Sequence, residues 1–309
     1  MTGPAAGAER ETLDGGDAVR RAVRASDGVE LHYLRWCSGR TPPWAAVVFL
    51  HGIASHGGWF AETAADLDTH GVAVYAPDRR GSGRSGGPRG HLDRYERALD
   101  DVDEVVRLVA AEHPGTPLFL AASSWAAKLG VVYAAQRPAP LSGLLLLGPG
   151  LLPRVGLSRV RQLVVVVMVV VGHLVAPTAR LAIPLTPEQY TTNPRFLDAI
   201  RSDRLRLLRA TTQFFWETGR LDRGRRRAAA GLRLPLLLLQ GEDDAMMDVA
   251  GTRHWFSRLG AEDKTYRAYP GAGHTLDFEP DRRRYLADMV GWLSARVPSA
   301  SSRPPGGGS

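Results

Sequence analysis

The chain has 309 residues, 44% of them apolar, and a formal net charge of +7 at pH 7. That length suits one large domain carrying an insertion better than two independent domains, and the apolar share excludes a disordered chain. A single cysteine, Cys37, excludes an intramolecular disulfide and fits a reducing compartment.

Residues 1–25 are rich in Gly, Ala and charge and hold no apolar core segment, so they read as a disordered lead-in rather than a secretory signal. Residues 28–36 alternate loosely and predict an opening strand. The segments 45–50, 72–76, 118–122, 143–147 and 236–240 are continuous β-prone runs, the mark of strands buried on both faces. Helical patterns separate most of them, notably 93–112 and 125–136. Strands alternating with helices predict an α/β fold with a mostly parallel sheet flanked by helices.

The alternation breaks over 151–234, where the pattern is helical and Pro177, Pro184, Pro187 and Pro194 mark breaks. The expected organisation is a core of 26–150 and 235–297 with a helical cap, 151–234, inserted between two core strands. Within the cap, 195–218 is the most regular helical pattern, with Phe196, Ile200, Leu207, Leu208 and Phe215 roughly on one face. The valine-rich run from Leu163 to Val171 permits helix or strand and falls short of the roughly 20 residues a membrane-spanning helix needs. Residues 298–309 read as a disordered tail. A soluble, cytoplasmic protein, at most peripheral to a membrane, is expected.

Charge is uneven along the chain. Residues 151–234 hold 15 Arg, no Lys and 5 acidic residues, a local +10. Arg is the default cation throughout, since Lys128 and Lys264 are the only lysines. The segment also suits contact with anionic lipid or an acidic substrate. Nucleic acid is not expected, because no binding motif accompanies the charge.

Three strand-then-turn settings deliver Ser124, Asp244 and His274 in that order. This is the chain order of an α/β-hydrolase triad and nominates acyl transfer to water. Ser124 lies in Ala122-Ser123-Ser124-Trp125-Ala126, where both glycines of the usual Gly-x-Ser-x-Gly elbow are alanines. Taking Ser123 as nucleophile would put Trp125 at a crowded elbow position, so Ser124 is the workable frame. His274 would take the serine proton, and Asp244 would hold the imidazole tautomer, with Glu242, Asp243 and Asp248 as competitors for that role. Backbone N–H groups of Ile53 and Trp125 are the expected oxyanion donors. His51 and His56 read as loop histidines rather than metal ligands, and no cofactor is expected. The glycines of 81–87 resemble a phosphate loop only superficially, because no Lys-Ser/Thr follows.

Leu50-His51-Gly52 through His56, Asp78-Arg79-Arg80-Gly81-Ser82-Gly83-Arg84-Ser85 and Arg89-Gly90-His91 together resemble the monoacylglycerol lipase and lysophospholipase branch of the α/β-hydrolases. The acid loop Gly241-Glu242-Asp243-Asp244 and the turn Gly271-Ala272-Gly273-His274 also match. The resemblance implies a cofactor-free serine esterase with a cap over its acyl pocket, acting on a small lipid-like ester and touching membrane through that cap. Under it Ser124 is the nucleophile, His274 the base, Asp244 the acid, and Ile53 with Trp125 the oxyanion hole. The alternatives are an amidase or peptidase on the same residues, a catalytically silent ligand-binding protein of the same fold, or a membrane-surface scaffold.

Overall fold

A computed structural model describes residues 10–13, 16–39, 42–137, 139–154 and 158–297; the expected tail lies outside them, as do residues 1–9 of the expected lead-in. In chain order the larger elements are β1 (Arg10–Leu13), β2 (Gly16–Arg24), β3 (Glu30–Trp36), β4 (Ala45–Leu50), α1 (Ala61–Thr69), β5 (Val72–Pro77), α2 (Tyr95–Glu112), β6 (Leu118–Ser123), α3 (Ala126–Gln136) and β7 (Leu141–Leu147). Then come α4 (Arg159–Val175), β8 (Arg180–Ala182), α5 (Pro194–Ser202), β9 (Arg209–Thr211), α6 (Thr212–Ala228), β10 (Leu236–Gly241), α7 (Val249–Ser257), β11 (Lys264–Tyr269) and α8 (Arg282–Ser294).

Nine strands form one sheet in the order β1-β2-β3-β5-β4-β6-β7-β10-β11. From β5 to β11 every pairing is parallel, while β1, β2 and β3 add antiparallel ribbons at one edge. The all-apolar runs Ala45–Leu50 and Val72–Pro77 are buried at every position, as strands must be when helices cover both faces. One apolar cluster packs α2 and α3 on one face, and a second packs α1 and α8 on the other.

The lead-in differs from its expectation. Gly16–Arg24 is a strand whose residues pair antiparallel with β3, from Val19 opposite Arg35 to Arg24 opposite Glu30. Its small and charged residues lack a conspicuous apolar run, but the free edge of β3 supplies the ladder partner that its composition does not advertise.

Residues 151–234 lie between β7 and β10, two strands adjacent in the sheet. The valine-rich run is helical, within α4. The single helix expected over 195–218 is instead two, α5 and α6, joined through β9. Periodicity alone continues across the break. Tertiary partners override it: Asp203 accepts from Trp59 Nε1 at 2.8 Å, and Leu207 N–H donates to Ala54 O at 2.9 Å. Among the described residues no helix is long and apolar enough to cross a membrane.

Candidate active site

Ser124 follows β6 directly and, among the described residues, is the one non-glycine residue with a positive φ, +52°. A left-handed serine is strained by a Cβ clash that glycine avoids. Surrounding contacts hold it there: its N–H donates to Leu147 O at 3.1 Å, and its carbonyl accepts from Gly150 N–H at 2.8 Å and Ala127 N–H at 3.0 Å. Gly150 is obligatory at this approach, since a Cβ would lie 2.8 Å from the Ser124 carbonyl carbon and 2.9 Å from Trp125 N.

The first alanine of the elbow, Ala122, is accommodated by a glycine elsewhere. Ala122, on β6, faces Gly130 on α3, where an added Cβ would come within 2.9 Å of the Ala122 methyl. Strand and helix therefore meet across one methyl group rather than two.

The three sequence-nominated side chains converge. Ser124 Oγ donates to His274 Nε2 at 2.9 Å, and His274 Nδ1 donates to Asp244 Oδ2 at 2.7 Å. A carboxylate only accepts, so the Nδ1 proton and the Nε2 lone pair follow from the partners. Asp244 and His274 are both buried. The other Asp244 oxygen accepts from Met246 N–H at 2.8 Å and Met247 N–H at 3.1 Å, and Gln240 Nε2 donates to Oδ2 at 3.1 Å. Four donors hold this carboxylate in place against the imidazole. Two of the competing acids are engaged elsewhere: Asp248 caps α7 through Gly251 N–H, and Glu242 pairs with Arg253.

Ile53 sits on the loop after β4, beside the elbow, where Gly52 comes so close that an added Cβ would lie 3.1 Å from Ser124 Cβ. Among the described residues neither Ile53 N–H nor Trp125 N–H has an acceptor. Free donors flanking a nucleophile are what an incoming oxyanion requires.

Sequence reasoning passed over Arg79. Its Nη1 donates to Gly52 O at 3.1 Å and its Nη2 to Ile53 O at 3.0 Å. The same guanidinium lies 4.8 Å from the Trp125 ring centroid and 5.4 Å from that of Phe214. One side chain thus ties the loop carrying Ile53 to the residue after Ser124. Burial lowers its pKa from the ordinary guanidinium value to about 10, which leaves it charged at neutral pH. Its backbone N–H donates to His51 Nε2 at 2.9 Å, so His51 Nδ1 carries the proton toward Gly52 O, 2.8 Å away. Burial and the Arg79 charge hold His51 well below the ordinary histidine pKa. Gln240 was also passed over, although a polar residue ending the Leu236–Gly241 run was a visible signal.

His56 bonds Asp203 at 3.2 Å and stands apart from any metal cluster. Among the described residues no three His, Cys, Asp or Glu side chains converge to hold a metal ion. Gly83 lies against the Asp78 carboxylate, where an added Cβ would come within 2.2 Å of Oδ2, and that carboxylate accepts from Gly57 and Arg84 N–H.

A family model described as serine aminopeptidase, S33, matches residues 41–281. The chain is 31% identical over 284 residues to a monoacylglycerol lipase of Mycolicibacterium smegmatis, covering 87% of this chain and 95% of that one. It is 29% identical over 285 residues to human monoglyceride lipase, covering 91% and 92%. Among solved structures, the monoacylglycerol lipase of Paleococcus ferrophilus superposes with a TM-score of 0.76 at 25% identity, over 86% of this chain and 99% of that one. A soluble variant of monoglyceride lipase from Saccharomyces cerevisiae, in complex with a substrate analogue, gives 0.81 at 18% identity over 94% and 98%, a likeness of fold.

Proposed function

The chain belongs to the serine aminopeptidase, S33, family, and from that premise we propose that it cleaves the carboxylic ester of a lipid-like monoester, a monoacylglycerol or lysophospholipid, through an acyl-enzyme on Ser124. Its fold is the α/β-hydrolase fold that the sequence predicts. The observation that carries the reading is the unbroken chain of hydrogen bonds from Ser124 through His274 to Asp244, with the serine held in a strained elbow.

In this mechanism His274 Nε2 takes the hydroxyl proton as Ser124 Oγ attacks the ester carbonyl. Asp244 stabilises the imidazolium without taking its proton. Ile53 and Trp125 N–H groups receive the developing oxyanion. The imidazolium then protonates the departing alcohol, and a water activated by His274 releases the fatty acid. No step calls for a cofactor. The monoester assignment draws on the relatives, which are named for monoacylglycerol.

A peripheral contact with anionic membrane is part of the proposal. On α4, Val160, Leu163, Val164, Val167, Val171 and Leu174 recur at helical spacing and all are exposed, Val160 and Leu174 to 72%. An apolar stripe left in water, on a segment of net positive charge, suits the headgroup layer of a bilayer.

The first test is intact mass after a fluorophosphonate, on wild type and Ser124→Ala. One adduct on wild type and none on the variant is expected; a well-folded wild type that takes no adduct would sink the mechanism. An ester panel follows, and faster turnover of an aminoacyl amide than of any glyceride would overturn the lipid assignment.

A further inference from the structure

Between α4 and α6 lies a cavity of about 720 Å³ whose chemistry is divided. Val166 and Val170 of α4 and Phe215 and Trp216 of α6 make an apolar wall. At one end are Lys128, Asp222 and Arg226. The cavity adjoins the elbow. Lys128 is on the first turn of α3, its N–H donating to Trp125 O at 3.2 Å, and Leu151 on the cavity wall follows Gly150, which bonds Ser124 O.

The charges at that end do not balance. Asp222 accepts from Arg225 Nε at 3.1 Å and Nη2 at 2.9 Å through Oδ1, and from Arg226 Nε at 3.1 Å through Oδ2. Lys128 reaches the same carboxylate only at 3.5 Å, and that is its one ion pair among the described residues. Three cations thus share one acid. Asp248, also on the wall, spends Oδ1 on capping α7, and Arg223 adds a further cation at the rim. Lys128 is only 9% exposed. Burial first, then repulsion from Arg225 and Arg226, lowers its pKa, with Asp222 opposing. The buried ammonium therefore has a single long contact, to a carboxylate that two arginines already occupy, and keeps capacity for a second acceptor.

We infer that this cavity is a binding site for a single-chain amphiphile with an anionic head, namely a fatty-acid carboxylate, seated with its head on Lys128 and Arg226 and its chain along the valines of α4. The ligand class follows from the division: an apolar wall takes the chain, and the excess positive charge takes one anion. The inference rests on the proposed function, since the fatty acid is the product of that reaction. The site would hold the released acid one helical turn from the nucleophile.

Laurate at pH 8, below its micellar concentration, is titrated calorimetrically into wild type, Lys128→Met, Lys128→Arg and Arg226→Ala, with dodecanol and acetate as parallel probes. One laurate per chain is expected, bound roughly tenfold more weakly by Lys128→Met, about threefold more weakly by Arg226→Ala, and near wild-type strength by Lys128→Arg. Dodecanol should bind weakly and alike to all four, and acetate not at all. Laurate affinity unchanged in both Lys128→Met and Arg226→Ala, or dodecanol binding wild type as tightly as laurate, overturns the site. Phosphatidylglycerol vesicles form a separate arm; vesicle binding that needs Lys128 while laurate binding does not would assign the charges to a membrane headgroup and overturn the fatty-acid assignment. Because binding is read without turnover, failure here is separable from failure of the fluorophosphonate test.

Discussion

The two parts of the inserted segment are held very differently. Residues 203–228 are stitched to the core. Thr211 N–H donates to Gly90 O at 2.9 Å, Arg89 Nη2 to Leu205 O at 2.5 Å, Trp125 Nε1 to Thr218 Oγ1 at 3.1 Å, and Tyr95 N–H to Glu217 Oε2 at 3.0 Å. Helix α4 instead leans on α6: Gly172 packs against Thr212 so closely that an added Cβ would lie 2.6 Å from its methyl, and His173 bonds Gln213 at 2.6 Å. One part braces the loops around Ser124, and the other leaves its apolar stripe in solvent. Position in the insertion therefore says little about role; the partner of each helix decides it.

The sharpest way to break this comparison is at the brace. Arg79→Ala should lower kcat by roughly 10²-fold or more, the scale of losing an oxyanion donor, with KM for a short soluble ester nearly unchanged. Arg79→Lys should recover little, since one ammonium cannot span both carbonyls and the Trp125 ring. Steady-state kinetics on circular-dichroism-matched variants decides this, and equal losses in KM and kcat would refute a positioning role.

Next in size is a pH effect on the core side alone. Burial raises the Asp277 carboxyl from 3.8 to about 6, against donation from Thr63 Oγ1 at 2.6 Å. The folded chain then holds this proton more tightly than the unfolded chain. The contribution of this group to stability is therefore full below about pH 4, falls between about pH 4 and 6, and levels off above. Two pKa units correspond to about 3 kcal/mol at most. Asp277→Asn should remove that fall relative to wild type in urea unfolding at pH 4, 6 and 8; parallel pH profiles for the two proteins would contradict it.

Glu217→Ala should cost about 1–3 kcal/mol by leaving Tyr95 N–H buried without its acceptor, read as a drop in Tm. The smallest effect belongs to the exposed stripe. Val164→Asp/Val167→Asp should stay within about 0.5 kcal/mol of wild-type stability and leave turnover of a soluble ester unchanged while weakening binding to anionic vesicles. Undiminished vesicle binding would show that α4 is not the docking face.

Most of the sheet was legible because strands buried on both faces must be apolar along their length, as Ala45–Leu50 and Val72–Pro77 are. The convergence of Ser124, Asp244 and His274 was legible because each follows a strand end, and a parallel sheet brings those ends to one edge. Three features were not. Gly16–Arg24 needs the open edge of β3, which local composition does not record. The break between α5 and α6 is made by Trp59 and Ala54, roughly 150 residues away in sequence. Arg79 was hidden because an arginine carries no periodic signal, and its meaning lies wholly in the two carbonyls and two rings it meets.

The pairing of Ala122 with Gly130 has a consequence for how such an elbow varies between sequences. Here the strand carries the one methyl at this contact, and the helix carries none. Restoring glycine at 122 alone would open a void, and adding a methyl at 130 alone would force a clash at 2.9 Å. The two positions are therefore coupled, each substitution acceptable only in the company of the other. A pattern written for consecutive residues sees a missing glycine, whereas the interface has kept it eight positions downstream.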